Sequence, residues 1–436
     1  MKKTVFIALS LFIFSSLFAE SLSPTGGVRE RFESLDGMNK KAYGDDASLI
    51  GRPDDTLLVS RLKLGFIYTQ TPDIIYTAIG YFASVYGWSL DHNDFKKVSG
   101  NETYWMDPQE DFDFTALNVK VKNLVNVRGL SLQLGRESNR YGDKRVLGPG
   151  SWGNSYGWLW DLAKFSYRFD DNFIDTFYGQ TKDKDKNHLS LFRKHVYEGA
   201  GIYTHFKTDN KGAVEPFVIY KKGLYNGAGN GQNTQENYTY GLRAYDDDFH
   251  SFNYDLTYAK ANGTIKEKNY DAYGYVAKMG YKFKSIALKP NIVFGRIYAS
   301  GDDNPHDNTV KTFRTPFGGT DGSLYGRMDI MKWSNLIENV VELHLIPQKN
   351  MQLKLSYHDF SLADANDAWS YYKKYNINGN HESKLGDEYD LEYKWHYNKA
   401  LEYQAIYAYF NAGAFVTKNV ADNNAQRLFL QVTYNF

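Results

Sequence analysis

The last eleven residues of the chain, QRLFLQVTYNF (residues 426–436), alternate between apolar and polar side chains. The apolar face carries Leu428, Leu430, Val432, Tyr434 and Phe436. The other face is polar except for Phe429. Because side chains of a β-strand point alternately to opposite sides, this pattern predicts a strand with one apolar and one wet face. The same period recurs at residues 61–68, 163–169, 252–258, 273–283 and 389–395.

The alternating segments run for about 10 to 13 residues, which suits a strand tilted across a bilayer. The chain also has 36 tyrosines, 28 phenylalanines and 8 tryptophans, enough for aromatic girdles at both membrane interfaces. A water-soluble β-sandwich is the alternative, with shorter strands and aromatics confined to a core. We predict an all-β fold: an antiparallel, up-and-down outer-membrane β-barrel.

Connections between the segments give a strand count. Short polar breaks, for example at residues 246–248, alternate with longer Gly- and Asp-rich stretches, for example at residues 262–269 and 301–333. Eight short turns and nine long loops join eighteen strands, an even number as in single-chain bacterial barrels. We therefore predict about eighteen strands, with short periplasmic turns and long extracellular loops.

The N-terminus has the order of a secretory signal peptide. Lys2 and Lys3 precede an apolar run over residues 5–18, and Ala19 follows. We predict a cleaved signal peptide over residues 1–19, a single barrel domain over residues 20–436, and export to the outer membrane of a Gram-negative cell. An uncleaved N-terminal membrane anchor is the alternative.

Composition excludes several classes of protein. A mean hydropathy of −0.55 excludes a polytopic helical membrane protein, since each spanning helix needs about 20 mostly apolar residues. The absence of cysteine excludes disulfides and thiolate metal or redox sites. The 51 basic and 51 acidic side chains argue against a nucleic-acid partner. We expect no cofactor and no metal, although Asp302, Asp303 and Asp307 could together supply oxygen ligands for calcium.

The wet faces of the strands would line the barrel interior. The first two-thirds of the chain contributes basic residues there: Arg29, Arg31, Arg61, Lys63, Lys120, Lys164, Arg168, Arg243, Lys278 and Lys282. The last third contributes an acidic wall: Glu342, Glu388, Asp390 and Glu392. Fixed positive charge concentrates anions, and arginine suits carboxylates, so the sequence predicts an anion-preferring pore. The alternative is that these side chains form salt bridges with each other across a narrow lumen.

Several spaced motifs resemble the alginate export family of outer-membrane porins. They are residues 134–137 (LGRE), 298–305 (YASGDDNP), 355–360 (LSYHDF) and 386–391 (GDEYDL). The resemblance implies an eighteen-stranded monomeric barrel with an arginine-rich constriction that passes an anionic polysaccharide. It also implies that Arg136 belongs to this constriction, supported by Lys164 and Arg168 on the next strand.

The predicted function is a passive, charge-selective channel for anionic solutes, either exporting an alginate-like polyuronate or taking up organic acids. The predicted partners are outer-membrane lipid, lipopolysaccharide and the anionic solute, with a periplasmic delivery partner left open. A non-selective porin and a barrel enzyme of phospholipase or protease type are the alternatives. An enzyme would need a nucleophile and an oriented base, for which Ser356 with His358, or Glu342 with His344, are the candidate pairs. We predict no enzymatic activity.

Overall fold

The computed structural model describes residues 21–37, 55–87, 96–99, 102–105, 110–150, 152–153, 156, 158–182, 195–208, 211–224, 234–318, 324–377, 379–420 and 423–436. The predicted signal peptide, residues 1–19, lies outside the described residues. Within the described part, eighteen strands form one closed antiparallel barrel. In chain order they are β1 (Leu22–Asp36), β2 (Asp55–Thr71), β3 (Ile74–Gly87), β4 (Glu110–Lys122), β5 (Leu130–Glu137), β6 (Trp160–Phe169), β7 (Asn172–Lys182), β8 (His195–Lys207), β9 (Gly212–Leu224), β10 (Thr234–Phe249), β11 (Phe252–Ile265), β12 (Lys268–Lys282), β13 (Asn291–Ala299), β14 (Leu336–Leu345), β15 (Met351–Ser361), β16 (Lys384–His396), β17 (Leu401–Ala412) and β18 (Ala425–Asn435).

The remaining elements are small. Lys96–Ser99 and Glu102–Trp105 form a separate hairpin, and Thr309–Val310 pairs in parallel with β12. A 3₁₀ turn spans Leu124–Asn126, and a short α-helix, α1, spans Ala414–Asn419. No helix among the described residues is long and apolar enough to cross a membrane.

The barrel closes where β1 pairs with β18, in a register that runs from Gly27↔Asn435 to Asp36↔Gln426. Backbone hydrogen bonds of 3.0 and 3.1 Å join Gly26 to Phe436 beyond that register. A side chain at Gly26 would meet the Phe436 ring at 2.7 Å, so only glycine leaves room for the ring. The predicted eighteen-stranded, up-and-down barrel is confirmed.

The two faces of the strands follow the sequence alternation. On β2, Leu64 and Phe66 are exposed on the outer, lipid-facing side, as are Phe294 and Tyr389 on β13 and β16. On β1, Arg29 and Arg31 are buried on the inner side. Period-2 patterning therefore places an apolar surface toward lipid and polar groups toward the lumen.

Two connections differ from the sequence prediction. The long loop predicted over residues 262–269 is a two-residue turn, because β11 continues to Ile265 and β12 begins at Lys268. Lys266 and Glu267 have φ values of 51° and 65°, the left-handed conformation of a tight hairpin turn. The turn predicted at residues 246–248 lies within β10, and the chain reverses at His250 and Ser251. In both places polar residues continue the strand ladder beyond the apolar band.

The hydrophobic core lies inside the barrel, where inward-facing side chains of the strands pack against two extracellular loops that fold inward. Loop A comprises residues 138–159 and loop B residues 300–335. Loop B buries Phe313, Phe317 and Trp333 completely or nearly so. The two loops pair with each other: Leu147 forms a parallel bridge with Phe317, and the Gly148 amide donates to the Phe317 carbonyl at 2.9 Å. The lumen is therefore largely filled by the loops.

Gly135 marks a strained position in β5. Its φ is 122°, and an added Cβ would lie 2.4 Å from the Leu117 carbonyl oxygen on β4. We expect Gly135→Ala to lower the free energy of unfolding by about 1–3 kcal/mol, because both the backbone conformation and the neighbouring strand oppose a side chain. Urea unfolding in lipid vesicles measures this. Gly80→Ala is the control, since its nearest atoms lie at 3.6 Å; equal losses in both variants would contradict the prediction.

Candidate functional site

Loop A is held in the lumen by arginines of β1. Arg29 donates to the carbonyl oxygens of Trp152 (3.1 Å) and Gly153 (2.9 Å), and Arg31 donates to that of Trp152 at 2.8 Å. Arg61 on β2 reaches the Gly153 carbonyl at 3.4 Å. The structure thus places these three sequence-predicted residues on the lumen face, where they bind the loop backbone.

The Trp152 ring connects the two loops and the wall. The guanidinium carbons of Arg31 and Arg327 lie 4.8 and 5.0 Å from a ring centroid of the indole. The Phe429 ring contacts the indole edge-on, with the ring centroids 5.6 Å apart. Cations over an indole face are attracted by its quadrupole. Phe429, the one apolar exception on the wet face of β18, is therefore buried against loop A.

The acidic wall binds loop B. Glu388 accepts a 2.8 Å hydrogen bond from the Met328 amide, and Asp390 accepts one of 3.1 Å from the Arg327 amide. Glu392 forms an ion pair with the Arg327 side chain. These carboxylates are buried beneath the loop, so much of the predicted acidic wall is covered.

A second anchor of loop B lies on the opposite side of the barrel. Lys221 on β9 donates to the Pro316 carbonyl at 2.7 Å. Its ammonium nitrogen lies 4.3, 4.9 and 5.2 Å from the ring centroids of Tyr197, Phe317 and Trp158. The sequence analysis did not single out Lys221, because its role depends on the loop that packs over it.

Between the loops and the wall, the constriction is lined by two sets of ion pairs. The first set links Lys278, Glu342, Lys354 and Glu392 in an alternating chain with successive distances of 3.0, 3.5 and 3.2 Å. It continues to Arg327 of loop B.

The second set combines loop A with β9, β10 and β11. Arg145 pairs with Asp143 within loop A. Arg243 contacts Asp255 at 2.9 Å and Glu215 at 3.1 Å. Burial favours the neutral form of Asp143, but the guanidiniums of Arg145 and Arg243 outweigh it and hold the pKa of this carboxyl below its usual value. Asp143 is therefore ionised at neutral pH.

The other sequence-predicted basic residues lie away from the central cavity. Arg136 is only 3% exposed and binds Asp161 at 2.7 Å and Asp113 at 3.2 Å, within the barrel wall. Lys164 pairs with Glu137, Arg168 with Asp175 at 3.1 Å, and Lys282 with the Asp247 carbonyl. Lys63 and Lys120 are half-buried on the lumen face.

The described lumen contains a central cavity and a vestibule on either side of it. The central cavity has a volume of about 260 Å³ and is lined by Asp143, Arg145, Asp255, Lys278, Leu324, Gly326, Arg327, Glu342, Lys354, His358, Asp390 and Glu392. A periplasmic vestibule of about 490 Å³ shares Arg327, Lys354 and Glu392 with it. An extracellular vestibule of about 420 Å³ lies above loop B, next to Lys221.

The candidate catalytic pairs do not form in the expected way. His358 Nδ1 lies 2.8 Å from Glu338 and Nε2 lies 3.3 Å from Asp390, so both ring nitrogens face carboxylates rather than Ser356. His344 contacts Glu342 at 2.9 Å, but Glu342 also pairs with two lysines.

Among the described residues, no three His, Asp or Glu side chains have the geometry to hold a metal ion. In the proposed calcium loop, Asp303 pairs with Lys311.

Solved structures with the same fold include proteins of Acinetobacter baumannii and Pseudomonas aeruginosa. OccAB2 of Acinetobacter baumannii matches with a TM-score of 0.61 and 12% identity over 95% of this chain and 98% of that chain. OccAB3 of the same organism matches with a TM-score of 0.60 and 10% identity over 95% and 100% of the two chains. Pseudomonas aeruginosa OpdK, in a crystal structure with vanillate, gives a TM-score of 0.56 and 11% identity over 95% and 98%.

Sequence comparison identifies the family. No curated protein matches the chain. The model of the family described as alginate export matches residues 42–431, nearly the whole barrel. A member of this family that forms an eighteen-stranded barrel with an apolar outer band is an outer-membrane channel. The chain therefore belongs to the alginate export family.

Proposed function

We propose that this channel selects small anionic solutes and admits them passively. The main support is the charge of the periplasmic vestibule. Its lining includes six Lys or Arg side chains, Lys282, Lys284, Lys289, Arg327, Lys354 and Lys394, but one carboxylate, Glu392. Excess fixed positive charge in a confined space raises the local anion concentration.

The extracellular vestibule has the same sign of charge. Its lining carries Lys221, Lys266, Arg314, Lys332 and Lys373, with Asp367 as the one carboxylate among the described residues. Asp367 accepts hydrogen bonds from the Asp302 amide and the Thr312 hydroxyl. An anion would thus meet a positive potential on both sides of the constriction.

The filled lumen favours small organic acids over a polysaccharide chain. The central cavity, at about 260 Å³, is below the range of about 300–1,000 Å³ common for small-molecule sites. Vanillate, which accompanies one structural neighbour in its crystal, is itself a small carboxylate. Uptake of organic acids is therefore our preferred direction and cargo, with polyuronate export as the second candidate.

Further parts of the proposal concern the setting of the channel. We place it in the outer membrane as a monomer, delivered by the signal peptide at residues 1–19, with residues 20–436 forming the barrel domain and lipid and lipopolysaccharide around it. We also propose that it has no enzymatic role; in support, His358, the base of the candidate Ser356 pair, contacts Glu338 and Asp390 instead.

Reversing charge in the periplasmic vestibule tests the anion preference. We expect Lys289→Glu with Lys394→Glu to lower the chloride-to-potassium permeability ratio by about fivefold, since one charge acts on an ion 4 Å away with about 1 kcal/mol in water. Reversal potentials in a KCl gradient across planar bilayers measure the ratio. Lys349→Glu with Lys399→Glu is the matched control, because both residues are exposed on short turns outside the vestibule. An unchanged ratio, or an equal change in the control, would contradict the proposal.

A further inference from the structure

We infer that the central cavity binds solutes carrying an ammonium group as well as carboxylates, with acidic amino acids such as glutamate as the best-fitting class. The inference rests on the proposed anion channel and names the class of solute that binds in its constriction. Its starting point is a contrast in charge. Both vestibules are strongly basic, whereas the described lining of the central cavity carries five carboxylates against four Lys or Arg side chains and His358.

One rim of the cavity offers cations. The side chains of Lys278, Lys354 and Arg327 remain 18%, 24% and 12% exposed despite their ion pairs. They are separated by Glu342 and Glu392 in the alternating chain, so this rim has three positive and two negative groups. A carboxylate of the solute would be attracted to this rim.

The other rim offers accessible anions. Asp143 and Asp255 remain 18% and 27% exposed while they pair with Arg145 and Arg243. Glu215 also binds Arg243, so three carboxylates share two guanidiniums on this side. An ammonium group would be attracted here, and a second carboxylate without an ammonium would be repelled.

The two rims meet where Asp255 on β11 lies directly opposite Lys278 on β12, so the cavity offers neighbouring groups of both signs to a solute that carries both signs of charge. An amino dicarboxylate satisfies both requirements of the channel: its net negative charge is concentrated by the vestibules, and its ammonium group is matched by Asp143 and Asp255. A plain dicarboxylate satisfies the first requirement and conflicts with the second. The constriction therefore discriminates among anions by the presence of an ammonium group.

Glutamate and glutarate form a matched pair of probes, since they have the same carbon chain and differ in the amino group. Purified full-length channel in planar bilayers is titrated with each, and the concentration for half-maximal reduction of the chloride current is measured. We expect this concentration to be about fivefold lower for glutamate. Equal or tighter block by glutarate would overturn the inference. If reversal potentials in the same membranes still show anion preference, the proposed function survives that result; if they show none, both fail.

Asp255→Asn tests the rim directly. Arg243 keeps Glu215 as a partner at 3.1 Å, so the variant removes one charge without leaving the guanidinium unpaired. The concentration for half-maximal block by glutarate, divided by that for glutamate, should fall toward one. Asp170→Asn, in an exposed turn, is the control and should keep the preference. A preserved preference in Asp255→Asn contradicts the assignment, and the comparison of probes on the unaltered protein decides the matter if the variant does not fold.

Discussion

Deleting residues 314–331 of loop B and joining the ends with a Gly-Ser linker should raise the single-channel conductance severalfold and remove anion preference. The deletion takes away Pro316, which is bound to Lys221 on one side of the barrel, and Met328, which is bound to Glu388 on the other. It also removes Arg314 and Arg327, two cations of the conduction path. Current recordings in planar bilayers, with reversal potentials in a salt gradient, measure both effects.

The sign of the selectivity change follows from what the deletion uncovers. Glu338 and Glu342 on β14 and Glu388, Asp390 and Glu392 on β16 flank β15, so these five carboxylates outnumber Lys354 and His358, which lie between them. Once exposed to the lumen, the carboxylates favour cations. Deleting residues 96–105, whose two short strands pair with each other, is the control and should leave conductance unchanged. A loop B deletion with the conductance of the unaltered channel would show that loop B does not set the pore size.

Trp152→Ala should lower the free energy of unfolding by about 3 kcal/mol, through lost burial of the indole and lost contacts with two guanidiniums. The ring lies between Arg31 and Arg327 and packs on Phe429. Its removal loosens both loops from β1 and β18 together. Urea unfolding in vesicles measures the stability, and open-channel current noise should rise in the same variant.

Trp395→Ala provides the comparison for this prediction. Trp395 packs on Tyr397 and Tyr403 near the periplasmic end of the barrel, away from either inward loop. The open-channel current noise of this variant should equal that of the unaltered channel even where the variant loses stability, because the contacts of Trp395 lie outside the lumen loops. Noise that rises equally in both variants would mean that Trp152 does not hold the constriction.

The barrel could be predicted from the sequence because its strands obey a simple rule. Alternation in residues 426–436 and 61–68 requires one lipid-facing and one lumen-facing side, and short turns fix the order of neighbouring strands. The same rule predicts Arg29, Arg31 and Glu388 on the inner face, and these side chains are buried. It failed at Lys266 and Glu267, where a polar strand end resembles a loop in composition.

The constriction could not be predicted, because loops have no comparable periodicity. The sequence suggested two charged walls facing each other across an open pore. In the structure the arginines of β1 donate to carbonyl oxygens of loop A, and the carboxylates of β16 accept from amides of loop B. The basic wall thus binds peptide carbonyl oxygens, and the acidic wall binds peptide N–H groups. Arg136, a residue of the family motif, binds Asp113 and Asp161 within the barrel wall and does not line the central cavity.

The seam between β1 and β18 has a consequence for the order of assembly. Until these strands meet, each presents an unpaired edge, and their contact requires closing a loop of nearly the whole chain. Loop A is bound to Arg29 and Arg31 of β1, while Arg427 of β18 donates to the Met328 carbonyl of loop B at 2.9 Å. Because the two loops also bind each other, they can act as an internal template that brings the first and last strands into register before the ring is sealed.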